Sequence, residues 1–388
     1  MDSRLFSASL CGQVVHTRTG YDAFVPNPLP PDIFWSDETV SAVERTSLVL
    51  GRLAGSLESE SCIHMPLLLV RDAIGAVRSE GRVISTAGLF ETLVTGEGNS
   101  ATTRLVRNYV AAFEYARCRL EDLPLSLRLL REMHFTLLEG VADPRSTPGE
   151  FRKTQNWLGQ PGCTLATATF VPPPAAEMRE LLHNWERFLH ESNQFPVLVG
   201  LALAHCQYLI LHPFLDMNVL TGAVLAPVIL QHLGVTDRPL PLFGCWLERH
   251  VGSLQSRVLD VCARATWEEW VTWYLQGVAD AARETLDCVL RLRAVRAEQV
   301  ARMEVLQAGD KPRQVLNLLY GQPAVTHEWV SENSNLTLGE SIEALRQIES
   351  AGLAAHSASA RGDIYIATDI IAALETPPLG GYDYDLPF

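Results

Sequence analysis

A histidine, a carboxylate and an amide lie within seven residues of one another in the middle of the chain, at His212, Asp216 and Asn218. An imidazole has an ordinary pKa near ~6.5, so it can take a proton from a hydroxyl group close to neutral pH. Each residue type also has a structural use, since loop histidines bond carbonyls, aspartates cap helices and asparagines favour turns. In this spacing the three residues favour a catalytic loop with His212 as its general base.

Two apolar runs with helical periodicity flank this stretch, over 195–211 and 221–233, and predict a helix–loop–helix that presents the three side chains at its turn. A first helix is predicted to begin at Ser36 or Asp37, and a second to cover 66–80. Helical spacing of apolar residues continues through most of the middle of the chain, over 101–119, 125–140, 175–191, 239–263 and 266–306. We therefore expect a mainly α protein.

One stretch departs from helical spacing. Residues 164–171 alternate in polarity and are rich in threonine, which predicts a short hairpin or an extended flap before the prolines at 172–174. After residue 308, three short helices followed by a pair of strands are typical of a winged helix-turn-helix. This region, 308–373, has four basic and eight acidic residues, so we do not expect it to bind DNA.

Composition excludes several classes of protein. The 388 residues carry a net charge of −14, which argues against a general binder of nucleic acid or of anionic membranes. The longest apolar run, 195–211, is shorter than the ~20 residues that a membrane span needs. The eight cysteines are scattered, without a Cys-x-x-Cys pair, and are expected to be free thiols in a reducing cytoplasm.

The central stretch resembles a known signature. Residues 212–218 read His-Pro-Phe-Leu-Asp-Met-Asn, similar to the His-Pro-Phe-x-Asp/Glu-Gly-Asn-Gly-Arg of the Fic family. The resemblance extends to other segments: 20–31, similar to the amino-terminal arm of bacterial Fic proteins, 148–159, 168–174, 246–249 and 267–270.

The resemblance implies both a fold and an activity. It implies a Fic-fold helical core with a short β-hairpin flap, plus a C-terminal winged helix-turn-helix domain. The predicted domains are an arm and inhibitory-type helical region, a Fic core, a winged-helix domain and a mobile tail, at 1–98, 99–306, 307–373 and 374–388. Family activity is AMP transfer from ATP to protein hydroxyls. The resemblance implies that Asp216 holds Mg²⁺ and that Asn218 orients the phosphate chain.

The departures from the signature change what we expect of ATP. Met217 and Val219 replace two glycines whose backbone N–H groups would cradle an anion, and valine disfavours positive φ. Leu220 and Ala223 replace arginines, each a charge-assisted donor worth roughly 1.5–3 kcal/mol when engaged. A triphosphate is therefore expected to bind poorly. The predicted substrate-binding residues come from this loop, the flap and the segment before it: Gln155, Trp157, Phe170, Val171, Met217, Val219 and Leu220.

A second carboxylate belongs to the same interpretation. Residues 71–81 resemble the inhibitory helix of the family, whose glutamate pairs with the signature arginine. Glu80 stands at the glutamate position, but the arginine is missing. Glu80 is either a surface carboxylate without that role or a second acid/base near His212, where burial would raise its pKa.

Three functions remain open on the sequence. The first is a diverged Fic-fold enzyme that acts on a small-molecule or protein hydroxyl without needing the triphosphate cradle. The second is a non-catalytic module for interaction or regulation, and the third is inefficient protein AMPylation. The winged-helix region is expected to contact protein, and the apolar helices allow a homodimer.

Overall fold

The structure, a computed structural model, describes residues 1–34, 36–58, 65–96, 100–143, 146–191, 195–237, 240, 242–359 and 362–376. This part of the chain is mainly helical with small antiparallel sheets, as predicted. The helices are α1 (Asp37–Glu58), α2 (Met65–Ser79), α3 (Thr86–Thr95), α4 (Ala101–Arg119), α5 (Leu127–Leu138), α6 (Ala175–Glu191), α7 (Val197–Leu211), α8 (Asn218–His232), α9 (Gly244–Arg264), α10 (Trp267–Val305), α11 (Asp310–Leu319), α12 (His327–Glu332), α13 (Leu338–Ser350) and α14 (Thr368–Glu375). The strands are β1 (Gly12–His16), β2 (Asp22–Pro26), β3 (Ala324–Thr326), β4 (Ala355–Ser359) and β5 (Gly362–Ile366).

Helix α7 lies at the centre of the molecule. Its side chains are buried from Leu198 to Leu211, because other helices cover it on every side. Two tryptophans from α6 and α10 donate their indole N–H groups to α7 carbonyls, Trp185 to Ala204 and Trp270 to Ala202, both at 2.8 Å. These contacts hold the middle of α7, which leads to the loop at 212–217.

Helices α2 and α9 cross at a close approach. An added Cβ on Gly75 would lie 2.7 Å from the Cα of Cys245, so only glycine fits at this position. At the crossing, the buried carboxylate of Asp72 accepts the backbone N–H of Gly244 and the hydroxyl of Tyr109. A carboxylate at the first N–H groups of α9 stabilises that helix and holds α2 in place.

The amino-terminal arm is a β-hairpin rather than an unpaired extended segment. Strands β1 and β2 pair antiparallel, with Gly12 opposite Pro26 and His16 opposite Asp22. The N–H of Phe24 in β2 donates to the carbonyl of Val171 at 2.9 Å. The arm therefore lies directly against the segment that precedes α6.

The predicted hairpin at 164–171 does not form as a ladder of strands. The chain makes a short 3₁₀ turn at Leu165–Thr167, and one isolated antiparallel bridge joins Leu158 to Phe170. We keep the name flap for residues 158–174, which form a loop closed by this bridge. The alternation of polar and apolar side chains indicated extended backbone at 164–171. It did not indicate which segment would pair with it.

The carboxy-terminal part contains a three-stranded antiparallel sheet in the order β3–β5–β4, with α11, α12 and α13 packed together beside it. One cluster of buried side chains extends from Phe6 to Leu374, so the predicted boundaries do not separate independent cores. The predicted tail from 374 is wrong at its start, because Leu374 is buried at the end of α14. Residues 377–388 lie outside the described residues.

Helix α14 is bound to the main helical body. Its C-terminal carbonyls accept hydrogen bonds from two arginines, Arg71 of α2 to Leu374 at 2.9 Å and Arg291 of α10 to Ala373 at 3.2 Å. Cations favour the C-terminal end of a helix, so these contacts stabilise the docked position.

No helix in the described ranges has the length and apolar character needed to cross a membrane. The described cysteines are free thiols, as predicted for them, and Cys62 lies outside the described residues.

Candidate functional site

His212 occupies the first turn after α7. Its backbone is left-handed, with φ 46° and ψ 60°, and its N–H donates to the carbonyl of Tyr208 at 3.1 Å. The half-buried imidazole has a pKa lowered to about 4, mainly by burial and then by the positive charge of Arg152, while a hydrogen bond to the carbonyl of Leu209 opposes the shift. The ring is therefore neutral at pH 7. One nitrogen donates to Leu209, and the other keeps a lone pair that can accept a proton.

The turn after His212 is closed by Asn218. The side-chain oxygen of Asn218 accepts the N–H of Phe214, and its amide nitrogen donates to the carbonyl of the same residue, both at 2.9 Å. Asn218 is 2% exposed. This placement contradicts the predicted role of Asn218 in orienting a phosphate, because its amide is buried and engaged with the backbone. Its role here is to hold the loop in shape.

His134 of α5 packs against the loop that carries His212. The sequence by itself did not identify it as a residue of the site. Its ring stacks on Phe214 with centroids 3.7 Å apart and planes 5° from parallel. The N–H of Gly149 donates to its Nδ1 at 3.0 Å, so the proton sits on Nε2, which donates to the carbonyl of Asp216 at 3.2 Å. Burial lowers the pKa of His134 to about 4. The one feature of the sequence that could have identified His134 is that it is the single polar side chain on the apolar face of α5.

Arg152 is the second residue whose role the sequence did not predict. It is 0% exposed, and its Nε donates to the carbonyl of His212 at 3.0 Å. Neighbouring Asn156 donates to the carbonyls of His212 and Phe214 at 3.3 and 2.9 Å. Arg152 and Asn156 both lie within 148–159, a segment that resembles the family but in which the sequence assigned no function to these two residues.

Asp216 lies exposed at the tip of the loop. One carboxylate oxygen accepts the N–H of Met217 at 2.8 Å. Mg²⁺ commonly rests on one or two carboxylates together with phosphate oxygens and water, so an exposed Asp216 fits a single protein ligand. Among the described residues, no group of three or more histidine, cysteine, aspartate or glutamate side chains could form a complete metal site.

The structure brings Glu80 to the same place. Glu80 follows α2, and its half-buried carboxylate lies beside the backbone N–H of Leu220 in the first turn of α8. Burial raises the pKa of Glu80, the nearby carboxylate of Asp216 raises it further, and the Leu220 bond and Arg82 oppose the shift. Glu80 thus lies close to Asp216 and to the first turn of α8. Its catalytic role stays a prediction.

The backbone of the anion cradle differs from the expectation. Met217 itself adopts φ 55° and ψ 27°, so the left-handed position that glycine would fill is retained without glycine. Val219 lies inside α8, where no positive φ is required. The carboxylate of Glu80 lies beside the Leu220 N–H, and the first N–H groups of a helix favour negative charge.

The side chains predicted to contact substrate divide into two groups. Phe170 and Val171 are each 1% exposed and pack in the core, and Leu220 is 0% exposed. These three predictions are wrong for the side chains, because hydrophobic burial has withdrawn them from the surface. Val219 is half-buried, and Met217 is 9% exposed.

The remaining two predicted residues, Gln155 and Trp157, lie just before the flap. The amide of Gln155 donates to the carbonyl of Pro172 at 2.9 Å, and its oxygen accepts the hydroxyl of Tyr21 at 3.1 Å. Trp157 is 39% exposed and donates its indole N–H to the carbonyl of Cys163 at 3.1 Å. Gln155 thus connects the flap to the arm, and Trp157 is the predicted residue that still presents a large aromatic surface to solvent.

Comparison with known proteins agrees with this geometry. The sequence pattern of the Fic/DOC family matches residues 124–230. The chain is 25% identical over 209 residues to the protein adenylyltransferase Fic of Drosophila ananassae, an alignment that covers 53% of this chain and 38% of that protein. The corresponding protein of Drosophila virilis is 28% identical over 174 residues, with 44% of this chain and 33% of that protein covered. The alignments thus span well under half the length of these relatives.

Two solved structures share the fold. A Fic family protein from Desulfovibrio desulfuricans G20 superposes with a TM-score of 0.53 at 17% identity, covering 87% of this chain and 98% of that chain. A Fic-domain-containing signaling protein from Bacteroides thetaiotaomicron VPI-5482 gives a TM-score of 0.50 at 15% identity, covering 63% and 96%. The family match thus places residues 124–230, with the helix–loop–helix at His212, in a Fic/DOC family domain, and the two solved structures share its fold.

Proposed function

We propose that this chain is a diverged Fic-fold enzyme in which His212 accepts the proton of a substrate hydroxyl. The observation that carries the proposal is the position of His212 in the first turn after α7, where burial lowers the pKa of the imidazole to about 4 and leaves the ring neutral at pH 7. A neutral ring is the form a general base requires. The relatives named protein adenylyltransferases support a transferase that acts on a hydroxyl of a protein or a small molecule.

The end of α8 favours a donor less charged than a triphosphate. Met217 keeps the left-handed backbone, so the first N–H groups of α8 remain directed at an anion. Leu220 is buried and apolar where the family has a guanidinium, so no side chain there can neutralise further charge. We therefore expect a donor with a single phosphate or carboxylate group to bind better than ATP. If Mg²⁺ binds, Asp216 would hold it, and the ion would offset charge on the phosphate oxygens.

Two features favour a second function. The carboxylate of Glu80 lies beside the Leu220 N–H, and the amide of Asn218 is hydrogen-bonded to the backbone of the loop and is not available to a ligand. Both features suit a non-catalytic Fic-fold module for interaction or regulation. Inefficient AMPylation of protein hydroxyls is the third candidate.

The carboxy-terminal region is proposed to contact protein rather than DNA. Helix α13 carries Glu340, Glu343 and Glu349 with one arginine, Arg346, which does not provide the positive surface that phosphate contacts require. We propose that this region, 307–373, is a winged helix, that the protein acts in the cytoplasm, and that two copies associate as a homodimer. Light scattering of the purified chain tests the dimer, and a DNA mobility shift at low salt tests the charge argument.

A mass measurement tests the enzyme proposal. Purified protein is incubated with Mg²⁺, a panel of nucleoside mono-, di- and triphosphates, and a mixture of hydroxyl-bearing peptides. Transfer is read as a mass gain in the wild type and in Glu80→Gln, and we expect its loss in His212→Ala. The control is His183→Ala, an exposed histidine on α6. Transfer that persists in His212→Ala overturns the role of His212. If folded wild-type and Glu80→Gln proteins transfer nothing, the interaction module is favoured.

A further inference from the structure

We propose that Arg152 is a positioning residue, which ties the end of the flap to the turn carrying His212 and so fixes the direction of the imidazole. The inference deepens the proposed function and rests on it only in treating His212 as the base. The contacts that carry it belong to the resting protein, so they can be tested without any substrate.

The guanidinium of Arg152 is fully buried, and its partners are carbonyl oxygens from three separate stretches of chain. Nε donates to His212 at 3.0 Å, Nη2 to Leu211 at 3.3 Å and also to Pro173, and Nη1 to Thr154 at 3.4 Å. The backbone of the same residue adds a fifth bond. Its N–H donates to the carbonyl of Pro213 at 2.9 Å. One residue thus connects the flap, the last carbonyls of α7 and the catalytic turn.

Arginine suits this place for two physical reasons. The last carbonyls of a helix have no partner within it, and the negative end of the helix dipole favours a cation. Leu211 and His212 supply such carbonyls at the end of α7. A planar guanidinium can also reach acceptors in several directions at once, whereas a lysine ammonium on a flexible stem acts as a point charge. Lysine would keep the charge at this site and lose the bridge.

The bridge has a direct effect on His212. The left-handed backbone at this residue, with φ 46°, is strained for a side chain other than glycine and needs outside support. Arg152 provides it at the His212 carbonyl. The positive charge also lowers the pKa of His212, after burial, whereas the pKa of His134 is lowered by burial and opposed only by the Asp216 bond. His134 is therefore an internal control within the same loop.

The test is imidazole NMR on the full chain with ¹⁵N-labelled histidine, without substrate, in wild type, Arg152→Met and Arg152→Lys. In Arg152→Met we expect a mixture of tautomers at His212 and a rise in its pKa on the order of one unit, because a nearby positive charge is removed. His134 should shift much less. In Arg152→Lys the pKa of His212 should stay low, while the tautomers still mix.

Hydrogen exchange of the Phe24 amide, which donates to Val171 of the flap, supplies a second readout and should be faster in both variants. An unchanged tautomer at His212 in Arg152→Lys overturns the proposal, and so does a shift of His134 as large as that of His212. If Arg152→Met does not fold, the Arg152→Lys spectra decide alone. These measurements use no substrate. A wild type without transferase activity would therefore count against His212 as a base, but the NMR and exchange data would still test the role of Arg152.

Discussion

The carboxylate of Glu80 lies beside the backbone N–H of Leu220, which places the end of α2 next to the first turn of α8. The two residues are 140 positions apart in the sequence. In the family that residues 71–81 resemble, the glutamate of the inhibitory helix pairs with the signature arginine, whereas Glu80 here lies beside the backbone of Leu220. An anion that binds at the first turn of α8 would therefore compete with this carboxylate for the same backbone N–H groups.

Replacing Glu80 by alanine should strengthen anion binding at α8. A competing carboxylate is removed, and a charge-assisted hydrogen bond of this type is worth roughly 1.5–3 kcal/mol, so affinity should rise by about tenfold or more. Calorimetric titration with pyrophosphate at low ionic strength measures the change. Glu180→Ala, an exposed position on α6, is the control. Equal affinity in the wild type and Glu80→Ala would contradict occupation of the site by Glu80.

Replacing Glu80 by glutamine should stabilise the protein more at pH 7 than at pH 4. Burial and Asp216 raise the pKa of Glu80, so the folded state holds this proton more tightly than the unfolded state. The contribution of Glu80 is thus favourable below the unfolded pKa and is lost as pH rises through the folded one. Glutamine keeps an oxygen for the Leu220 amide and does not ionise. Urea unfolding at both pH values checks the difference, and a gain independent of pH would refute it.

Replacing His134 by phenylalanine should cost roughly 1–3 kcal/mol at pH 7, because the ring stack on Phe214 is kept while the Gly149 N–H loses its buried acceptor. The wild type should also lose stability in acid. The pKa of His134 is lowered to about 4 from 6.5, so its contribution is present above pH 6.5 and disappears as pH falls through 4.

The phenylalanine variant should therefore show a shallower loss of stability between pH 6.5 and 4, by up to roughly 3 kcal/mol. Denaturant melts across this range provide the measurement. His183→Phe, on the exposed face of α6, should leave the acid slope unchanged. An identical slope in His134→Phe and the wild type would show that the buried ring is not responsible.

Replacing Arg71 by methionine should loosen α14. The variant keeps the apolar stem but removes the donor to the Leu374 carbonyl, and a bond of this kind to a charged group contributes roughly 1.5–3 kcal/mol. Hydrogen exchange of residues 368–376 should accelerate, while α7 stays protected by its burial. Arg179→Met on α6 is the matched control. Unchanged exchange in α14 would show that Arg71 does not hold it.

Local pattern was enough for much of the fold. The first helix begins at Asp37, as predicted, because Ser36 caps it by accepting the N–H of Thr39. The second helix and the long helix α10 also agree closely with the predicted ranges, since a stripe of apolar residues every three or four positions specifies a helix locally. Phe214 is 0% exposed, so the aromatic ring of the loop packs into the core.

The errors share one cause. Asn218 looks like a phosphate ligand in the sequence because its type and position match, but its partner is Phe214, and the pair closes only when the loop folds. Phe170 and Val171 of the flap and Leu220 of the signature loop were predicted to contact substrate, but burial turns their side chains inward. The positive φ at Met217 is likewise imposed by the turn against the preference of the residue.

The sequence by itself determined the helical architecture and the presence of a histidine and a carboxylate on one loop, because both depend on residues close together in the chain. Only the tertiary structure decided what surrounds that loop. It brought Glu80 to the Leu220 amide, Arg152 to the carbonyl of His212 and His134 to the ring of Phe214. These contacts join residues that are between 60 and 140 positions apart, and a directional hydrogen bond over such a separation depends on the packing of whole helices rather than on any local pattern.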